Sequence, residues 1–108
     1  MGYLKQFYQK LLDAVSANGT TGAVNVLGQA REHAVYVEYG AGVSAGEVTV
    51  ETASEKAFSG TWDVLTVIAW AAASRSHSYR TTGAYGAIRV RVTSAIVGGT
   101  VTVTYVGN

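Results

Sequence analysis

The sequence predicts a mainly β protein, an antiparallel β-sandwich or jelly roll of about seven or eight short strands, led by one N-terminal amphipathic α-helix. Three observations predict it. After Gly19, apolar residues alternate with polar ones at a period of two along most of the chain. The opening segment instead spaces its apolar residues as a helix does. The chain has 13 glycines and no proline, so its turns rely on the positive φ angles that glycine reaches without cost.

In the opening segment, Leu4, Phe7, Tyr8, Leu11, Leu12 and Val15 follow the i, i+3, i+4, i+7 rule, while Lys5, Gln6, Gln9, Lys10 and Asp13 fill the other face. A helix from about Tyr3 to Ala17 is expected, stopped by Asn18-Gly19, either of which tolerates a left-handed backbone. A helix of this length is marginal alone in water, so its apolar face is expected to anchor it to its own sandwich or to a neighbouring subunit. Residues 1–19 are accordingly assigned as a docking or oligomerisation element and residues 20–108 as the β-sandwich domain.

Four strands follow from alternation. Val35, Val37 and Tyr39 alternate with Ala34, Tyr36 and Glu38, and Val48 and Val50 with Glu47, Thr49 and Glu51. Ile88, Val90 and Val92 stand against Arg89, Arg91 and Thr93, and Val101, Val103 and Tyr105 against Thr100, Thr102 and Thr104. Gly98-Gly99 between the last two sets predicts a terminal hairpin. Glu47 and Glu51 are expected to form a solvated stripe opposite Arg89 and Arg91, as cross-strand ion pairs that fix register. The run from Trp62 to Trp70 is apolar on both faces, which predicts a strand buried on both sides, central in its sheet; its β-branched content favours strand over a buried helix. Shorter strands are expected near Ala23–Leu27 and His77–Thr82.

Composition narrows the function. A chain of 108 residues has room for one core of ordinary size. Charged residues make up 14%, against roughly 25% in an ordinary soluble domain, a shortage of solvated surface that fits burial against partners. A net charge of +1 lacks the basic footprint that displaces counterions from phosphates, so no nucleic-acid partner is expected. The apolar stretch from Val64 to Ala73 is far short of the roughly 20 residues of a membrane span, and no membrane partner is expected. The start, Met1 to Gln6, has none of the marks of a secretory signal, so the protein is expected to act where it is made or to leave by lysis or assembly.

Candidate chemistry is sparse. With no cysteine there is no thiolate nucleophile and no cysteine-ligated metal. His33 and His77 are far apart in sequence and the acids are dispersed, so no metal and no cofactor are expected. Neither a G-x-S-x-G elbow nor a pair of facing carboxylates is legible, so no catalytic residue is assigned and the chain is not expected to be an enzyme. Gly40-Ala41-Gly42 and Gly83-Ala84-Tyr85-Gly86 lead into no helix and are read as turns, not phosphate loops. Trp62, Trp70, Tyr79 and Tyr85 lie near strand ends, which keeps a sugar-stacking surface as an alternative from another class, with a surface glycan as ligand. The polar, weakly basic stretch Arg75-Ser76-His77-Ser78-Tyr79-Arg80 is the candidate contact loop, carried by Arg75, His77, Tyr79 and Arg80.

At Gly60-Thr61-Trp62-Asp63-Val64-Leu65, Ser78-Tyr79-Arg80, Gly86-Ala87-Ile88-Arg89-Val90-Arg91-Val92-Thr93 and Gly99-Thr100-Val101-Thr102-Val103-Thr104, the chain resembles the small β-sandwich structural proteins of tailed bacteriophages. The likeness runs from roughly Ala34 to Asn108. It implies a virion component, assembled in the host cytoplasm, as a capsid decoration (cement) protein, a head fibre or a tail, neck or baseplate part. It also implies a homo-oligomer, commonly a trimer, with the major capsid protein or another virion protein as partner.

Overall fold

The computed structural model describes residues 6–108. Among them every regular element is a strand: β1 (Phe7–Val15), β2 (Thr21–Asn25), β3 (Glu32–Tyr39), β4 (Ala45–Ala53), β5 (Asp63–Ala69), β6 (Ser76–Thr82), β7 (Ala87–Val97) and β8 (Val101–Gly107). They form two four-stranded sheets, one ordered β1-β8-β3-β6 and the other β2-β7-β4-β5, with every neighbouring pair antiparallel. Only β4 and β5 are consecutive strands of one sheet; every other connection crosses between the layers. This is the eight-stranded double sheet of a jelly roll.

The expected N-terminal helix is absent. Phe7–Val15 pairs along β8 instead, and Leu4 lies outside the described residues. The reason is the pairing register: Lys10 faces Thr104, Leu12 faces Val103 and Val15 faces Val101, so β1 carries two more residues than β8 needs. Each extra residue is a β-bulge that resets the alternation. The inward residues thus fall at Phe7, Leu11, Leu12 and Val15, a spacing that also makes a helical stripe. Tyr8, on the apolar face of the supposed helix, is 66% exposed. Ala14 takes the left-handed backbone (φ 52°) at the second bulge, where its N–H donates to Thr102 Oγ1 at 3.2 Å. Asn18-Gly19 does end the element, but as the turn into β2, with the Gly19 N–H on the Val92 carbonyl at 2.8 Å.

The core lies between the sheets. Val35, Val37, Tyr39, Val101, Val103 and Tyr105 from one layer meet Val48, Val50, Ile88, Val90 and Val92 from the other, all essentially without solvent contact. These are the residues that period-two alternation pointed inward. At one margin β1 lies against β2 and β7. Gly22 there approaches the Leu11 carbonyl so closely that any Cβ would overlap it, and Leu11 and Leu12 close that side of the core.

Two further expectations change. The terminal hairpin does not form, because β7 and β8 sit in different sheets. Gly98, at φ 87°, turns the chain across the sandwich beside the β3–β4 crossing, and the two arches bond backbone to backbone: Gly40 N–H to the Thr100 carbonyl at 2.8 Å and Ser44 N–H to the Val97 carbonyl at 2.9 Å. A Cβ at Gly42 or at Gly98 would run into the opposing carbonyl. A Gly-Gly turn between alternating strands reads the same whether the strands pair or face each other. The strand Asp63–Ala69, expected to be central and doubly buried, is instead the outer strand of its sheet.

Deleting part of the Leu12 side chain should test the β1 assignment. Leu12→Ala is expected to lower the unfolding free energy by about 2–5 kcal/mol, as in other buried leucine truncations, in urea titrations. Far-UV circular dichroism of the native chain should show β signal with no helical double minimum.

Candidate interaction surface

The outer face of the β2-β7-β4-β5 sheet is partly roofed by the β4–β5 connection. Glu51 on β4 faces Arg89 on β7 in the pairing register. The Arg89 guanidinium donates to Glu51 Oε1 from Nε at 2.8 Å and from Nη2 at 2.6 Å, and Arg91 Nη2 donates to Oε2 at 3.0 Å. Trp62 lies against the other face of Arg89, 4.3 Å from ring centroid to guanidinium carbon, and its indole N–H is held by the Phe58 carbonyl at 3.0 Å. The expected ion pairs therefore form at Glu51, but not as a solvated stripe: Glu51 is 3% exposed. Glu47 takes no arginine and accepts from Thr93 Oγ1 at 2.6 Å. Burial raises the Glu51 carboxyl, yet the hydrogen bonds and charges of Arg91 and Arg89 outweigh it and hold the group below its usual range.

Trp62 is 5% exposed and covered by Arg89, while Trp70, Tyr79 and Tyr85 pack against the core from its margins. The aromatic residues proposed as a sugar platform are therefore committed to packing rather than laid out on one open face.

The two largest core side chains carry hydroxyls that need partners. Burial pushes both Tyr39 and Tyr105 up to about 12. Tyr39 donates to the Ile68 carbonyl of β5 at 2.6 Å, a strut from one sheet to the edge of the other. Tyr105 meets His33 Nδ1 at 2.6 Å, and His33 Nε2 lies 2.9 Å from the Gly83 carbonyl. A carbonyl only accepts, so Nε2 carries a proton, and in the neutral ring Nδ1 accepts from Tyr105. His33 is thus a buried link between β3, β8 and the β6–β7 turn.

The predicted site residues divide. Leu11 and Leu12 are buried in their own sandwich, with Phe7 and Val15 packed against the same core, so that among the described members of the set Tyr8 alone is open to solvent. The candidate contact loop is mostly strand: β6 begins at Ser76 and pairs with β3 as the outer strand of its sheet. Arg75 and Arg80 are exposed, whereas His77 and Tyr79 turn inward. The His77 ring stands edge-on to Tyr39 at 6.1 Å, and its Nε2 is buried without a hydrogen-bond partner among the described residues.

β5 is the feature that sequence reasoning misplaced. It is an edge strand with a single bulge, at Leu65, whose only charge is Asp63 at its start, with Val64 58% and Val67 50% exposed. The other edges are blunted in ways edge strands usually are: β1 by two bulges, Lys10 and Asp13, β2 by its five-residue length, and β6 by Arg80. The signal was present as a charge-free, proline-free β-branched run, but such a run reads equally as an interior strand.

The Glu51 tie makes a pH-dependent prediction. Because its folded-state value is lowered, the ionised carboxylate stabilises the fold above the ordinary glutamate value of about 4.3, and that stabilisation is lost as pH falls through the lower folded value. Glu51→Gln should cost about 1.5–3 kcal/mol at neutral pH, toward the lower end because Arg91 is partly solvated. The deficit relative to the native chain should shrink in urea titrations below about pH 4.

No protein-family model matches the chain, and no curated protein matches it. Among solved structures, the SPBc2 prophage-derived protein YomS aligns over 95% of this chain and 92% of its own with a TM-score of 0.68 and 14% sequence identity. A structure from work on disulfide-linked Bacillus endospore appendage pili aligns over 99% and 91% at 18% identity, with a TM-score of 0.47. The likeness to YomS is a likeness of fold: this chain shares its jelly-roll architecture with a prophage-derived protein.

Proposed function

We propose that the chain is a structural component of a tailed-phage virion, and within that class a capsid decoration protein that stabilises the shell by binding between capsid subunits. The observation that carries this reading is the β5 edge, charge-free from Val64 to Ala69 and left open on a sandwich whose other edges are more heavily blunted. A strand of that kind is a template for pairing with another chain. The low charge of the sequence and its resemblance to small phage sandwich proteins support the same reading, as does the shared fold with a prophage-derived protein.

Such a role asks for area and valency, not for a reaction. Apolar surface contributes about 25 cal/mol per Å² on burial, less the cost of association, and weak contacts become firm when several copies bind together. The partner is the major capsid protein or another virion protein, with the chain itself as a homo-oligomer, and the site of action is the assembled particle. A tail, neck or fibre part would use the same surface, and number separates the two.

Particles banded from a phage lysate of the source strain should contain this chain by quantitative mass spectrometry. Hundreds of copies per shell are expected for decoration. A handful would move the protein to neck, tail or fibre, and absence from purified particles would overturn the proposal.

A further inference from the structure

The backbone of β5 specifies more than an open edge. Trp70 donates its N–H to the Gly46 carbonyl at 3.0 Å, and Ile68 faces Val48 and Thr66 faces Val50 in the ladder with β4. In an antiparallel ladder the residues whose N–H and C=O point to one neighbour alternate. Thr66, Ile68 and Trp70 therefore spend their backbone groups on β4, while Val67 and Ala69 present theirs to the free side. Leu65 is the extra residue of the bulge between Thr66 and Val64 and has no partner on β4. Among the described residues no strand lies beyond β5. The Tyr39 strut to Ile68 holds the middle of this edge in place.

We infer that the free edge of β5 pairs antiparallel with β5 of a second copy, about a twofold axis through Val67. Three features fit this occupant. Centring on Val67 sets Val67 against its own copy as a hydrogen-bonded pair and Ala69 against Leu65, so the free backbone groups of one strand meet those of the other. From Thr66 to Ile68 the faces also agree: Thr66 and Ile68, both on the inner side with Val50 and Val48, come opposite each other, and the half-exposed Val67 side chains meet on the outer side, while at the next position the bulge turns Leu65 to the core opposite an exposed Ala69. Centring on Thr66 would instead set inward Ile68 against exposed Val64. Charge is the third feature. Asp63 falls beyond the paired segment, so nothing between Val64 and Ala69 opposes like with like. An isologous contact of this kind closes at two copies, in place of the three that the phage resemblance implies; it rests on the same β5 edge as the proposed function and makes that edge the contact between copies, so a monomer in solution overturns the pairing while presence in or absence from purified particles decides the virion reading.

Sedimentation of the full chain across a concentration series tests the inference, together with three variants. The native chain should reach twice the 11.3 kDa chain mass. Val67→Lys sets two ammonium groups against each other across the axis. It should weaken association by roughly tenfold or more while leaving the β circular dichroism unchanged, since Val67 is half-exposed in the single chain. The natural sequence has no cysteine, so Val67→Cys gives one thiol per copy. Hydrogen-bonded antiparallel partners sit about 5.5 Å apart at Cα, so a short bifunctional thiol reagent should join this variant quickly into a covalent dimer. Tyr36→Cys, exposed on the other sheet, should not. A native chain that stays monomeric or forms trimers would overturn the twofold β5 pair. So would a Val67→Lys variant that associates like the native chain, or a Val67→Cys variant that cross-links no faster than Tyr36→Cys.

Discussion

The whole structure hangs on the contact between two inward faces built almost entirely of valine, isoleucine and tyrosine. With no cysteine to staple the chain, this interior must offset the chain entropy lost on folding. β-Branched side chains suit the task because they are stiff and fit a pleated surface. Tyr39 and Tyr105 fill what valine cannot reach, and their hydroxyls impose a second condition: each must find an acceptor inside. The Ile68 carbonyl and His33 meet that condition, so the core's two largest residues also fix where β5 and the β6–β7 turn lie.

Given that interior, the margins of the sandwich follow. One margin is closed by β1, which reaches the core only by means of its bulges, and by Gly22, which lets β2 come against it. The crossings at one end are tied together through Gly42 and Gly98. At the other margin, β5 and β6, the Tyr39 strut spans the layers, and the run from Val64 to Ala69 leaves that edge without charge. The Glu51, Arg89 and Trp62 stack on the outer face secures the register of β4 against β7 and pins the long β4–β5 connection that leads into that edge.

Much of this was legible from residues whose neighbours leave one solution. Val35 to Tyr39, Val48 to Val50, Ile88 to Val92 and Val101 to Tyr105 alternate cleanly, and each lies as alternation requires. The Glu51 and Arg89 pairing was legible too, since opposite charges on alternating strands find each other. Four things were not. The opening strand imitates a helix, because two bulges convert period two into a spacing near that of a helical stripe. Gly98-Gly99 shows where the chain turns but not whether it stays in its sheet, since that depends on which strands lie farther off. The apolar run at β5 carries the same composition at an edge as in a centre. The open edge, the feature most relevant to function, was hidden for that reason, and His33 was hidden because its partners Tyr105 and Gly83 lie far away in sequence.

Residue-resolved amide hydrogen exchange of the full chain tests most directly the claim of a closed interior with one open, self-pairing edge. In dilute solution the amides of Thr66 and Ile68 should be protected with those of Val48 and Val50, while Val67 and Ala69 exchange freely. Raising the protein concentration should slow Val67 and Ala69 and leave the interior amides unchanged. Protection of Val67 and Ala69 that is already complete in dilute solution, or that never develops, would contradict the account.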